Sequence, residues 1–250
     1  MSEYKFPTEV IDLPSEGKLY SEDHPCKDGK IELKYMTAKE EDILTSANLI
    51  KKGLVIDKLI NSLIVTNGVN VDNLIVGDKN AVMVAARILA YGPDYQCKVM
   101  NPETGNLEEH TFNLADCPFN KLPDGVKENN FEFELPVSKT KVTFKVLNGK
   151  EEKLIEQDIK ASQKLGTDIS TELTSRFRHI IQSVDGDDSK STINSFAQNI
   201  LARDSLALRQ KISETVPDIK LEQEITIEGG DVVKVDIPMT TEFFWPKALR

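Results

Sequence analysis

Positive charge is what this chain of 250 residues is short of: 31 Lys and Arg face 41 Asp and Glu, for a net charge of -10. Contacts to nucleic-acid phosphates need clustered Lys and Arg, and no basic stripe offsets the acidic balance, since "KVTFKVLNGK" is a single strand with mixed neighbours. Cysteine is scarce too. Cys26, Cys97 and Cys117 are an odd, scattered set, expected to stay free thiols in a reducing compartment. Long apolar runs are missing: "VMVAARILAY" is about half the roughly 20 residues a membrane helix needs, and it carries Arg87. The opening "MSEYKFPTEVIDLP" has neither a basic start nor an apolar stretch, so synthesis in the cytoplasm is expected rather than secretion. Also missing are a Gly-x-Ser-x-Gly elbow, a phosphate loop and a dinucleotide fingerprint.

What the chain does have is an echo. "IVGDKNAVMVAARILAYGPDY" (residues 75 to 95) and "LARDSLALRQKISETVPDI" (residues 201 to 219) each place an Asp, Asp78 or Asp204, where a helix starts, and each closes on a Pro-Asp pair. An Asp there is expected to cap the free amides of its own first turn, and the Pro to stop the helix. The echo extends upstream. Leu-Pro, a basic extended run and Lys-Glu-Glu opening an apolar-spaced helix recur in order, at offsets of 122 for Pro14 and Pro136 and 111 for Lys39 and Lys150. Downstream, each capped helix is followed by two extended runs around a turn. The expected fold is α+β, with helical lobes and short antiparallel hairpins, as one helix-plus-hairpin unit in tandem or as two segments made alike by shared capping rules.

The expected layout is an extended leader over 1–16, a first lobe over 17–122, a polar linker over 123–130 and a second lobe over 131–250. A two-stranded element is expected from Gly17 to Tyr35. Thr37 followed by Glu40 reads as a capping box. Two helices broken near Gly53 follow, then the helix of Asp78, then a hairpin over 95–113 turning at Asn101 to Gly105. In the second lobe a hairpin (131–147) leads to helices near 150–164, 169–184, 190–202 and 204–215, and to a last hairpin (220–237) turned by Gly229-Gly230.

No chemistry emerges. The turn "NPETG" keeps the Pro and Gly of a zinc knuckle but has Asn101 and Thr104 where thiolates belong, and Cys26, Cys97, Cys117 and His110 are not at ligand spacing. No metal, cofactor or catalytic residue is assigned. His24, His110 and His179 fall on a loop, a strand and a helix with no nucleophile beside them. "VDGDDSKS" has the Asp spacing of half a calcium loop but Phe196 where the twelfth ligand should stand, so it reads as a polar linker ending in a cap at Ser189 or Ser191. The near-terminal aromatics Phe243, Phe244 and Trp245 are costly to leave in water, and so either pack on their own lobe or anchor a partner.

"LPSEGKLY", "IELKYMTAKEEDILTSANLIKKGLVIDKLI", "VGDKNAVMVAARILAYG" and "TTEFFWP" together resemble the baseplate hub assembly family of T4-like contractile-tailed phages, over most of residues 11 to 119 and more loosely beyond. The resemblance implies a non-enzymatic protein of the infected host's cytoplasm that helps build the central hub through contacts with hub or tape-measure proteins. It implies either an assembly factor or a structural subunit kept in the virion. The rival reading from another class is a zinc-ribbon-derived adaptor for nucleic acid. Oligomeric state is not set by the sequence.

Overall fold

The computed structural model describes residues 6–101, 104–164, 170–227, 230–239 and 241–245. Strand β1 (Thr8–Asp12) pairs antiparallel with β2 (Lys30–Lys34), from Thr8 opposite Lys34 to Asp12 opposite Lys30. The strand expected within Gly17 to Tyr35 therefore comes from the leader. Pro7 and Pro14 flank this strand without interrupting it, and residues 13–29 form a run of turns. Gly17 lies deep in those turns at φ +75°, where an added Cβ would sit 2.2 Å from the Lys27 carbonyl oxygen.

Helices α1 (Ala38–Leu44), α2 (Ala47–Lys51) and α3 (Val55–Leu63) follow, broken at Thr45–Ser46 as well as at Gly53. The chain leaves α3 extended, and Ile64 bridges Leu33 of β2. Then come α4 (Val76–Tyr91), the hairpin β3 (Asp94–Met100) and β4 (Leu107–Asn113), and the short β5 (Phe119–Asn120).

The second half follows a similar order, with a further helix before its last one and with a short strand before its final hairpin, not after it. A hairpin of β6 (Phe131–Glu134) and β7 (Lys141–Phe144) leads to α5 (Gly149–Lys164) and α6 (Glu172–Ile180). The chain leaves α6 as β8 (Ile181–Val184), which pairs with β7 as Ile64 does with β2. The expected helix over 169–184 thus ends at Ile180: burial at both Ile181 and Val184 is reached on a strand alongside β7, while residues 165–169 lie outside the described residues. Helices α7 (Lys190–Asn199) and α8 (Ala202–Thr215) precede β9 (Asp218–Ile219) and the hairpin of β10 (Glu222–Thr226) and β11 (Val232–Asp236). Ser189 caps α7, its Oγ accepting from the Thr192 amide. Of the two turns expected at the hairpin ends, Pro102, Glu103 and Gly229 lie outside the described residues.

Specific interactions recur with the elements. Lys34 pairs with Glu40 at 2.8 Å, and Lys145 pairs with Glu151. The Glu40 carboxylate accepts from the Thr37 amide at 3.0 Å, and Glu151 accepts from the Asn148 amide at 3.0 Å while its own amide donates back to Asn148 Oδ1. Lys34 and Lys145, Thr37 and Asn148, and Glu40 and Glu151 each stand 111 positions apart. A capping box satisfies helix-end donors reciprocally, and its Lys fastens it to the preceding strand.

Packing divides the chain differently from its order. One apolar core holds Leu13 to Leu122, Val146, and also Ile219, Ile225, Val235, Phe243 and Phe244; the other holds Leu135 to Leu208. The last hairpin thus returns to the first core, with β9 paired to β5 and Asn80 Nδ2 donating to Asp218 at 3.1 Å. Gly77 permits the approach, since a Cβ there would lie 1.7 Å from the Pro217 carbonyl oxygen. Within the expected linker, Asn129 exchanges two hydrogen bonds with the Val146 backbone, at 2.7 and 2.8 Å. No helix among the described residues is long and apolar enough to cross a membrane.

Candidate interaction surfaces

Asp78 and Asp204 do not cap their own helices. Each is the third residue of its helix, behind Ile75 and Leu201 at the N-cap, and neither N-cap side chain accepts a bond from the helix. Both carboxylates reach instead to the turn after a Leu-Pro pair. Asp78 accepts from the Ser15 amide (2.9 Å), the Ser15 hydroxyl (2.6 Å) and the Tyr20 hydroxyl (2.7 Å), while Asp204 accepts from the Val137 and Ser138 amides at 2.8 and 3.0 Å. The positive end of a helix favours an anion there, and a buried carboxylate needs such donors. Burial pushes the Asp78 carboxyl above its usual range despite these donors, and Asp218 adds to the rise. At Asp204 burial acts in the same direction, but the two amides, the Ser138 side chain and the Arg203 charge outweigh it, holding the carboxyl below its usual range. Both sites hold the fold together.

The three thiols are buried. Burial, then the negative charges of Asp78 and Asp28, pushes the Cys26 thiol up to about 12, and burial raises Cys117, whose Sγ accepts from Gln223. Cys97 stands opposite His110 across the β3–β4 ladder. Asn101, at the position of a knuckle thiolate, donates to Glu108 at 2.7 Å and accepts the Thr104 amide at 3.2 Å, so it closes the turn by hydrogen bonds. Among the described residues no three His, Cys, Asp or Glu side chains are grouped as a metal would require. The lysines of the basic strand sit among carboxylates: Lys141 lines a hollow with Glu132, Glu134 and Asp185, and Lys145 is paired with Glu151.

Of the three aromatics, Phe243 and Phe244 are fully buried in the first core. Phe243 meets Tyr95 edge-on at 5.0 Å and Phe244 at 5.2 Å, and its carbonyl accepts from Arg87 Nε at 2.9 Å. Trp245 alone stays partly exposed, beside a groove of about 280 Å³ lined by Ala38, Glu41, Asp42, Leu44 and Tyr91. Thr240 and Pro246–Arg250 lie outside the described residues.

The most exposed apolar side chains stand at hairpin tips, where sequence reading found no signal. Met100 and Leu107 are cross-strand partners at the tip of the β3–β4 hairpin, 62% and 67% exposed. Val232, which opens β11, is 62% exposed, and β11 runs beside β3 around a shallow hollow lined by Val99, Val235 and Pro238. The only cue in the sequence is the placement of large apolar residues next to hairpin turns, where polar ones are usual.

Fold and surface define the class: an α+β protein of helices and short antiparallel hairpins, with its thiols buried and with Met100, Leu107 and Val232 exposed on hairpin tips. The chain belongs to the family described as T4 bacteriophage base plate protein, which matches residues 5–245. Membership associates it with the tail baseplate of a T4-like phage and with other baseplate proteins as its partners. No curated protein and no solved structure matches it.

Proposed function

We propose that this chain acts by protein–protein binding as an assembly factor for the central hub of the baseplate, in the cytoplasm of the infected host. The observation that carries the reading is the pair of adjacent hairpins exposing Met100, Leu107 and Val232 on a chain of net charge -10. Apolar side chains held at the tip of a rigid hairpin suit transient capture of an apolar partner, and the acidic remainder opposes self-clumping. Trp245 is a second contact candidate, whereas Phe243 and Phe244 serve the first core. A structural subunit retained in the particle is the other reading, favoured by the family description of a base plate protein. A tagged pull-down from infected cells, paired with quantitative mass spectrometry of purified virions, separates the two. Hub or tape-measure proteins in the pull-down with none of this chain in particles supports the assembly factor. Fixed stoichiometry in particles supports the subunit, and no tail partner in either sample rejects both.

A further inference from the structure

Trp245 stands at the edge of a groove, and the backbone holds it there. Phe243 and Phe244, each 1% exposed, are locked in the first core, and the Phe243 carbonyl accepts from Arg87 Nε at 2.9 Å, so the residue that follows them is delivered to a set point. Pro246 comes next. A residue before Pro favours extended backbone and Pro itself cannot donate to a helical turn, so the short turn Thr241–Phe244 cannot run on past Trp245.

The groove combines apolar surface from Ala38, Leu44, Tyr91 and Trp245 with the carboxylates of Glu41 and Asp42. Those carboxylates lack a cation. Lys34 is taken by Glu40 at 2.8 Å, and Arg87, which lies over the Tyr91 ring, donates to the carbonyls of Phe243, Gly92 and Asp94. The Glu41 side chain accepts the Tyr91 hydroxyl at 3.4 Å, and among the described residues neither Glu41 nor Asp42 forms an ion pair.

The sequence that follows Trp245 has the chemistry the groove is missing. Pro246-Lys247-Ala248-Leu249-Arg250 brings two cations, the apolar side chains of Ala248 and Leu249, and no acid, in a chain whose net charge is -10. Five extended residues reach about 17 Å, whereas the seven residues of α1 rise only about 10 Å, so the segment is long enough to run the length of that helix.

We infer that Pro246–Arg250 is the occupant of this groove, with Lys247 and Arg250 against Glu41 and Asp42 and with Leu249 on the apolar surface beside Leu44. An exposed ion pair contributes little by itself. A segment tied to Trp245, however, meets the groove at an effective concentration on the order of millimolar, which lets two such pairs and one apolar contact act together. The groove is then closed to other chains until the segment is displaced, and a displacing partner must bring a cation next to an apolar side chain. The inference stands apart from the hub-assembly reading.

Trp245 is the only Trp in the chain, so its fluorescence reports on the groove directly. The emission maximum and acrylamide quenching of the full chain at low salt are compared with those of a chain ended after Trp245 and of K247E/R250E. Both variants are expected to emit at longer wavelength and to quench more readily. E41K/D42K should do the same, and the four changes combined should restore the wild-type signal. At 1 M salt, where the screening length falls to about 3 Å, wild type should move toward the shortened chain. Circular dichroism verifies that every variant is folded. Emission and quenching that do not change on shortening overturn the inference. So does a folded fourfold variant that fails to recover, and so does a wild-type signal that varies with protein concentration, which would give the groove to a second copy.

Discussion

The carboxylates of Asp78 and Asp204 occupy the same place in their helices and are roofed differently. Over Asp78 lies a long excursion, residues 16–29, whose Tyr20 hydroxyl donates to the carboxylate and accepts the Ile75 amide at 3.0 Å. Burial drives the Tyr20 hydroxyl's pKa far upward, and the ring stacks on His24 with centroids 4.1 Å apart. Over Asp204 there is a short turn offering two backbone amides and the Ser138 side chain. Two helix starts can thus share one electrostatic fastening under different covers. The covered unit hides its helix start, and the bare one leaves Leu201 in water.

The largest effect that would sharpen this contrast is on stability. Asp78→Ala leaves the Ser15 amide, the Ser15 hydroxyl and the Tyr20 hydroxyl without an acceptor in a dry site, at a cost of about 3 kcal/mol. Asp204→Ala strands two amides in a part-buried turn and should cost clearly less. Urea unfolding of both variants measures the difference, and equal losses would mean the cover over Asp78 adds nothing.

Next in size is Tyr20→Phe, expected to cost about 1 to 2 kcal/mol because one hydroxyl serves both Asp78 and the Ile75 amide. Thermal unfolding monitors it. A null result would show that Ser15 alone satisfies the carboxylate.

Acid titration separates the two carboxylates by sign. Asp78 has a raised carboxyl, so the folded state holds a proton that the unfolded state, near 3.8, releases; its contribution is greatest at low pH and declines as pH rises through that window. Asp204 has a lowered carboxyl, so its contribution is present above 3.8 and is lost as pH falls toward its folded value. Melting temperatures from pH 2 upward should therefore show the wild-type advantage over Asp78→Asn growing on acidification and the advantage over Asp204→Asn shrinking. Parallel trends would refute the assignment.

Much of the scaffold could be read locally. The Thr37–Glu40 box, the 95–113 hairpin and the Pro-Asp helix ends rest on residues within a few positions of one another. What escaped depends on distant partners. The Asp residues read as caps because Asp favours a helix start, but their true donors lie 63 and 67 positions upstream. That Phe243 and Phe244 pack in the first core and not on their own lobe needs Arg87 and Tyr95, more than 140 positions away. The β8 strand, Ile-Gln-Ser-Val, is too short to show a period, and only its neighbour β7 decides for strand. The leader strand likewise waits on β2.

The smallest stability change is expected where the two units end, in the hairpin β3–β4 and its counterpart β10–β11. Met100→Asp with Leu107→Asp places charge on side chains that already face water, so folding should change by no more than about 0.5 kcal/mol. Capture is a different matter. If the first hairpin is the anchor, the double variant should lose recovery of tail proteins from infected cells while Val232→Asp, one residue at the neighbouring tip, loses less. A hairpin tip works as an anchor by burying its apolar pair against the partner, and two carboxylates there carry a desolvation cost that the partner would have to offset. Full recovery with both charges in place would move the binding surface away from the hairpins, toward the groove beside Trp245.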